Sequence, residues 1–107
     1  MNSSVPAELA EALQLIDTAK DLLQISQRAA ADFLNLELGL ARTFARMALE
    51  SLAAGNTDKA RRTAAHAKEA HSTICKFLPK LMVPHREPIE AKLATLDSLI
   101  EQLAAIN

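Results

Sequence analysis

Ala53-Ala54-Gly55-Asn56-Thr57-Asp58 is the stretch that decides the fold of this chain. Gly55 can take the left-handed conformation that closes a helix, Thr57 can cap the next one, and Asp58 falls in a first turn, where the helix dipole favours an acid. The flanking sequence is rich in alanine, leucine, glutamate, lysine and arginine, side chains that lose little freedom in a helix. The stretch therefore predicts a tight helical hairpin.

Before the hairpin turn, Phe33, Leu40, Phe44, Met47 or Ala48, and Leu52 fall on one side of a helix. Leu34, Leu38, Ala41 and Ala45 widen that stripe until it implies contact with more than one neighbour. Further upstream, Leu9, Leu13, Ile16, Leu23 and Ala30 recur at helical spacing, with Ser3 or Ser4 as the cap and Pro6 in the first turn. No proline interrupts residues 7–54, and one unbroken helix of that length runs about 70 Å, too long for a compact monomer. A restart is expected between Ser26 and Asp32, with Asp32 as an N-cap; Gly39 is a second place for it.

After the turn, Ala60, Ala64, Ala67, His71, Ile74 and Leu78 line the seam of a helix that Pro79 ends or kinks. Pro79, Pro84 and Pro88 predict a stiff connector, after which Ile89, Leu93, Leu96, Ile100 and Leu103 alternate spacings of four and three in a coiled-coil-like stripe. The expected fold is all-α: one domain over residues 1–107, an antiparallel bundle of three long helices at about 32–54, 57–79 and 86–106, and an N-terminal helix at about 6–28.

Half of the residues are hydrophobic, yet there is no Trp or Tyr and only three Phe, so the core must be built from Leu, Ile and Ala. Alanine buries little area, and a second copy of the chain could supply the missing burial. Charge is uneven along the chain. Residues 1–56 carry four basic groups against seven acids, residues 57–86 carry seven against two, and the remainder has Lys92 against four acids. A basic helix thus lies between acidic neighbours, and intramolecular complementarity accounts for it; the chain lacks the aromatics that stack on bases, so nucleic acid is not an expected partner. The single cysteine, Cys75, rules out an intrachain disulfide, and no stretch approaches the ~20 apolar residues of a membrane span. These features lead to the expectation of a soluble cytoplasmic protein with no membrane partner.

Residues 44–67 resemble one unit of a tetratricopeptide-type helical hairpin. Phe44 sits where that family has its large aromatic, Met47 where it has leucine and Ala48 where it has a small residue; Gly55-Asn56-Thr57-Asp58-Lys59-Ala60 resembles its turn, and Ala67 takes a later small position. The hairpin is also similar to that of the microtubule-interacting-and-transport three-helix domains, which bind amphipathic peptide helices. Both resemblances imply a binding scaffold without chemistry of its own. The general pattern is also similar to short uncharacterised bacterial helical proteins.

Two constellations bear on chemistry. His71 and Cys75 stand four apart on one helix face, able to reach a single metal or form a thiolate-imidazole pair, but a zinc site takes at least three protein ligands and no companion motif supplies the third. The expectation is that His71 fills the seam between Ala67 and Ile74, that Cys75 is a small buried hydrophobe, and that no metal or cofactor is held. His66 invites comparison with histidine-phosphotransfer domains, in which an exposed helical histidine on a bundle carries a phosphoryl group; here Lys68 follows two residues later, where that family places lysine three later.

The function expected from these readings is protein-protein interaction or scaffolding without catalysis, in a homodimer whose other protein partners are unspecified. The alternative is a histidine-phosphotransfer-like or other small enzymatic module centred on His66 or His71. Leu93, Leu96, Ile100 and Leu103 are the expected oligomer interface, the last helix, the first helix or both crossing it. Arg61, Arg62, Lys68 and Lys76 are the expected contacts to an acidic partner.

Overall fold

The computed structural model describes residues 7–106, with the backbone alone at positions 13, 16, 19, 20, 22 and 23. The expected caps Ser3 and Ser4, and Pro6, lie outside the described residues. Three long helices carry the chain: α1 (Ala7–Ala53), α2 (Thr57–Phe77) and α3 (Val83–Gln102), with single 3-10 turns at Leu78–Lys80 and Leu103–Ala105 and no strand among the described residues. The fold is an all-α bundle, as the alanine-rich hairpin predicts.

The hairpin turn forms by a pair of reverse bonds. Asn56 N–H donates to Ser51 O at 2.8 Å and Gly55 N–H to Leu52 O at 3.0 Å, the two bonds of a Schellman cap, and Gly55 takes φ +80° to make them. The N-cap of α2 is Asn56, one residue before the expected Thr57: its Oδ1 accepts from Lys59 N–H at 3.2 Å. One asparagine thus closes one helix and opens the next.

The expected restart between Ser26 and Asp32 is absent, and α1 runs unbroken for 47 residues. Neither Gly nor Pro occurs between Ala7 and Leu38, so no backbone preference opposes helix there. Asp32 is exposed within the helix, with Ala31 and Leu34 buried on either side of it in the seam. Gln27 serves a different purpose. Its Oε1 accepts from Met82 N–H at 2.7 Å and its Nε2 donates to Lys80 O at 3.4 Å, which ties the α2–α3 connector to α1.

That connector is shorter than expected. Pro79 lies in the 3-10 turn, and α3 begins at Val83 with Pro84 in its first turn, where a missing N–H leaves nothing unsatisfied. Pro88 lies inside the second turn and forfeits one bond, to the carbonyl of Pro84.

Helices α1 and α2 pack antiparallel through alanine. Ala45, Ala48, Ala60, Ala64 and Ala67 form one cluster with Leu103 and Ile106; Ala31, Leu34, Leu38 and Ala41 form the other with Ala70, Ile74, Leu78, Leu81, Ile89 and Leu96. Small residues let the first two helices approach closely, while α3 stands off on leucine and isoleucine and runs parallel to α1. Lys92 Nζ donates to Asn35 Oδ1 at 3.1 Å across that contact. The shape is far from compact, at 85 × 20 × 15 Å with a radius of gyration of 21.7 Å, against about 13 Å for a compact chain of this length. The difference is the first half of α1, which extends beyond the level of Gln27, where α2 ends and α3 begins.

Candidate functional site

Because α3 covers one side of the α1–α2 hairpin, the other side is left as a groove. Phe33, Glu37, Leu40 and Phe44 of α1 and His66, Glu69, Ala70 and Thr73 of α2 line a cleft of about 300 Å³. Phe44 is half-buried against the alanine cluster, and its ring centroid lies 5.3 Å from that of exposed His66, at 36° between planes. Thr73 Oγ1 donates to Glu69 O at 3.1 Å within α2 and so presents its methyl-bearing side chain without an open donor. The groove is apolar along α1 and polar along α2.

The apolar side continues along α1 beyond the cleft. Ile25, Ala29, Phe33, Leu36 and Leu40 are spaced by three and four and fall on one line, with Leu15 on the same line further up. Leu15 is 69 % exposed, Ile25 and Leu36 64 %, Phe33 45 % and Leu40 42 %. A row of large side chains left in water along one helix is the kind of surface that a partner covers. A second cleft, of about 570 Å³, is bounded by Asp21, Gln24, Ile25, Arg28, Ala29 and Asp32, all on α1 and next to this row.

The expected sites fall elsewhere. Leu96 and Leu103 are buried inside the chain's own bundle, with Leu93 and Ile100 half-buried against the same core. The α3 stripe, expected as an oligomer interface, is therefore taken up within one chain, because α1 and α2 together form the surface it needs. Arg61, Arg62, Lys68 and Lys76 do not meet in one patch: helical spacing turns Arg61 and Lys68 toward the α3 side and Arg62 and Lys76 away from it. Arg61 lies 3.9 Å from Asp58, and Lys76 Nζ sits 5.6 Å above the ring of Phe77, which Lys80 Nζ also approaches at 4.8 Å.

His71, Cys75 and Asp97 form a constellation with the residue types of a nucleophilic triad. Asp97 Oδ1 lies 2.6 Å from His71 Nε2, so the ring carries its proton there and donates it. The Cys75 sulfur rests beside the ring, 3.8 Å from Nε2 and 3.9 Å from Nδ1, and at such nearly equal distances it lines up with neither nitrogen. Partial burial of the sulfur, and then the negative charge of Asp97, push the thiol above its ordinary value, the reverse of an activated nucleophile. Cys75 is exposed as a residue, in contrast to the buried role expected from its place near the seam. Among the described residues, no group of three or more His, Cys, Asp or Glu is arranged to hold a metal.

His66 keeps the exposure that the phosphotransfer reading asks for, but its ring leans on Phe44 in the groove, and Lys68 points to another face of α2. The outward row on α1 was missed in the sequence because the wide stripe around Phe33 blends with the seam. The spacing of Ile25, Ala29, Phe33, Leu36 and Leu40 was the signal that separates them. No described helix is long and apolar enough to cross a membrane. In comparison with known proteins, no family model, curated protein or solved structure matches this chain.

Proposed function

We propose that this protein is a helical interaction module that acts by contact and carries no chemistry of its own, with the α1–α2 groove and the outward row of α1 as its working surface. The observation that carries the reading is the exposure of Leu15, Ile25, Phe33, Leu36 and Leu40 along one line of α1, the opposite side of which is packed from Ala31 onward. A groove between two helices, open on one side, takes an amphipathic helix, with large side chains at every third or fourth position as anchors. The resemblance to helix-binding three-helix domains implies the same kind of ligand.

The experiment is site-specific photo-crosslinking in the cell that makes the protein. Benzoylphenylalanine in place of Phe33 or Leu40 gives one discrete adduct whose mapped peptide is a helix with apolar spacing of three and four; the same probe at exposed Gln102 gives none. Adducts no different from those at Gln102 overturn the reading. Phosphoryl transfer to His66 from a phosphodonor, abolished by His66→Gln, would favour the enzymatic alternative in its place.

A further inference from the structure

The structure points to a second copy of this chain as the occupant: we infer that the N-terminal extension of α1 in one copy lies in the α1–α2 groove of the other, antiparallel α1 against α1, so that each copy supplies the fourth helix of its partner's bundle. The inference rests on the interaction reading above and names the partner.

Three observations agree on it. The first is length: residues 7–27 extend about 30 Å beyond the bundle, the length of the 21-residue α2 that forms the groove's other wall. The second is the alignment of the apolar side chains. Leu15 on the extension falls on the helical line of Ile25, Ala29, Phe33, Leu36 and Leu40, so a two-fold axis near Gln27 sets Leu15 of one copy against Leu40 of the other and Ile25 against Ala29. A row that crosses the axis is self-complementary, as an isologous interface requires. The paired length is about 60 Å of helix, on the order of 600 Å² or more per copy, near the ~800 Å² per partner of a standard interface.

The third observation is charge. The extension carries Glu8, Glu11, Asp17 and Asp21 against Lys20, while α2 carries five basic residues against two acids. Helical spacing places Glu8 and Glu11 on the same line as Leu15. In the antiparallel pairing they reach the end of the groove nearest the hairpin turn, where α2 presents Lys59 and Arg62 on the groove side. The acids that fall off the line, Asp17 and Asp21, stay in solvent. A parallel pairing instead brings Glu8 and Glu11 of the two copies together, and like charges oppose it.

The test uses the full chain with Gln14→Cys and Cys75→Ser, carrying a nitroxide at residue 14, together with sedimentation equilibrium. The wild type sediments as a dimer at high micromolar concentration, and the label-to-label distance is about 40 Å, because residue 14 of one copy lies opposite residue 41 of the other. Leu36→Glu, at an exposed site, raises the dissociation constant at least tenfold with no loss of helicity. Glu11→Lys weakens the dimer, and Arg62→Glu in the same chain restores it. A wild-type monomer, a label distance under about 20 Å as in a parallel or extension-only pair, a dimer indifferent to Leu36→Glu, or a charge swap that fails to restore association overturns the proposal. Groove crosslinks in cells to a different protein, with a monomer in solution, sink the second copy and leave the interaction reading standing.

Discussion

Cys75 shows how little separates a reactive thiol from an inert one. With His71 and Asp97 it makes up the residue types of a catalytic triad, yet the carboxylate accepts the Nε2 hydrogen bond while the sulfur lies almost equally far from both ring nitrogens, and the thiol is pushed up where activation needs it lowered. Asp97→Asn removes the second of the two causes and leaves burial in place, so alkylation of Cys75 by iodoacetamide near pH 8 becomes faster, though slower than that of an unstructured cysteine. An unchanged rate would show that the Asp97 charge does not reach the sulfur. At the alanine seam the same scale governs stability. Ala45 and Ala64 are packed between α1 and α2, and leucine at either position forces the helices apart at about 1–3 kcal/mol, read from chemical denaturation. In the sequence, regular spacing puts Ala64 in the seam of the second helix and Ala45 in the wide stripe of the first. It did not reveal the His71–Asp97 contact, which joins positions 26 apart on different helices.

At the scale of elements, the unbroken α1 is the main departure from what the sequence predicts. The argument for a restart assumed a compact monomer; the helix has no such obligation, and nothing between Ala7 and Leu38 disfavours it. Ala30→Pro tests the continuity. In an unbroken helix it removes a bond and clashes with the preceding turn, about 3 kcal/mol or more, whereas at a natural break it is tolerated. Gln27→Ala tests the tie to the connector: losing its bonds to Met82 and Lys80 costs about 1–2 kcal/mol in denaturant and leaves the length of α1 unchanged. The hairpin was legible to within one residue because its Gly-Asn pair has a single economical geometry. The start of α3 was not, because proline in a first turn and proline in a connector look alike in sequence.

At the scale of the molecule, a bundle that ends halfway along its longest helix leaves that helix needing a neighbour. The sequence anticipated the shortage of burial from the lack of aromatics, and assigned the free surface to α3 because its stripe is the most regular. Regularity marks a good packing surface but does not say which chain covers it. In this fold Leu96 is enclosed by its own chain, and Leu40 is not. Leu96→Glu therefore unfolds the protein, while Leu40→Glu keeps its helicity in circular dichroism and changes the melting temperature of the isolated chain by only a few degrees.

Amide hydrogen exchange on the purified full chain, compared between dilute and concentrated solution, tests the account most directly. With a second copy seated in the groove, concentration slows exchange along the extension of α1 before Gln27, along Phe33 to Phe44, and along the groove side of α2 near Lys59 and Arg62, while α3 exchanges at the same rate throughout. Exchange that is independent of concentration everywhere, or protection gained on α3 with none along the extension, contradicts it.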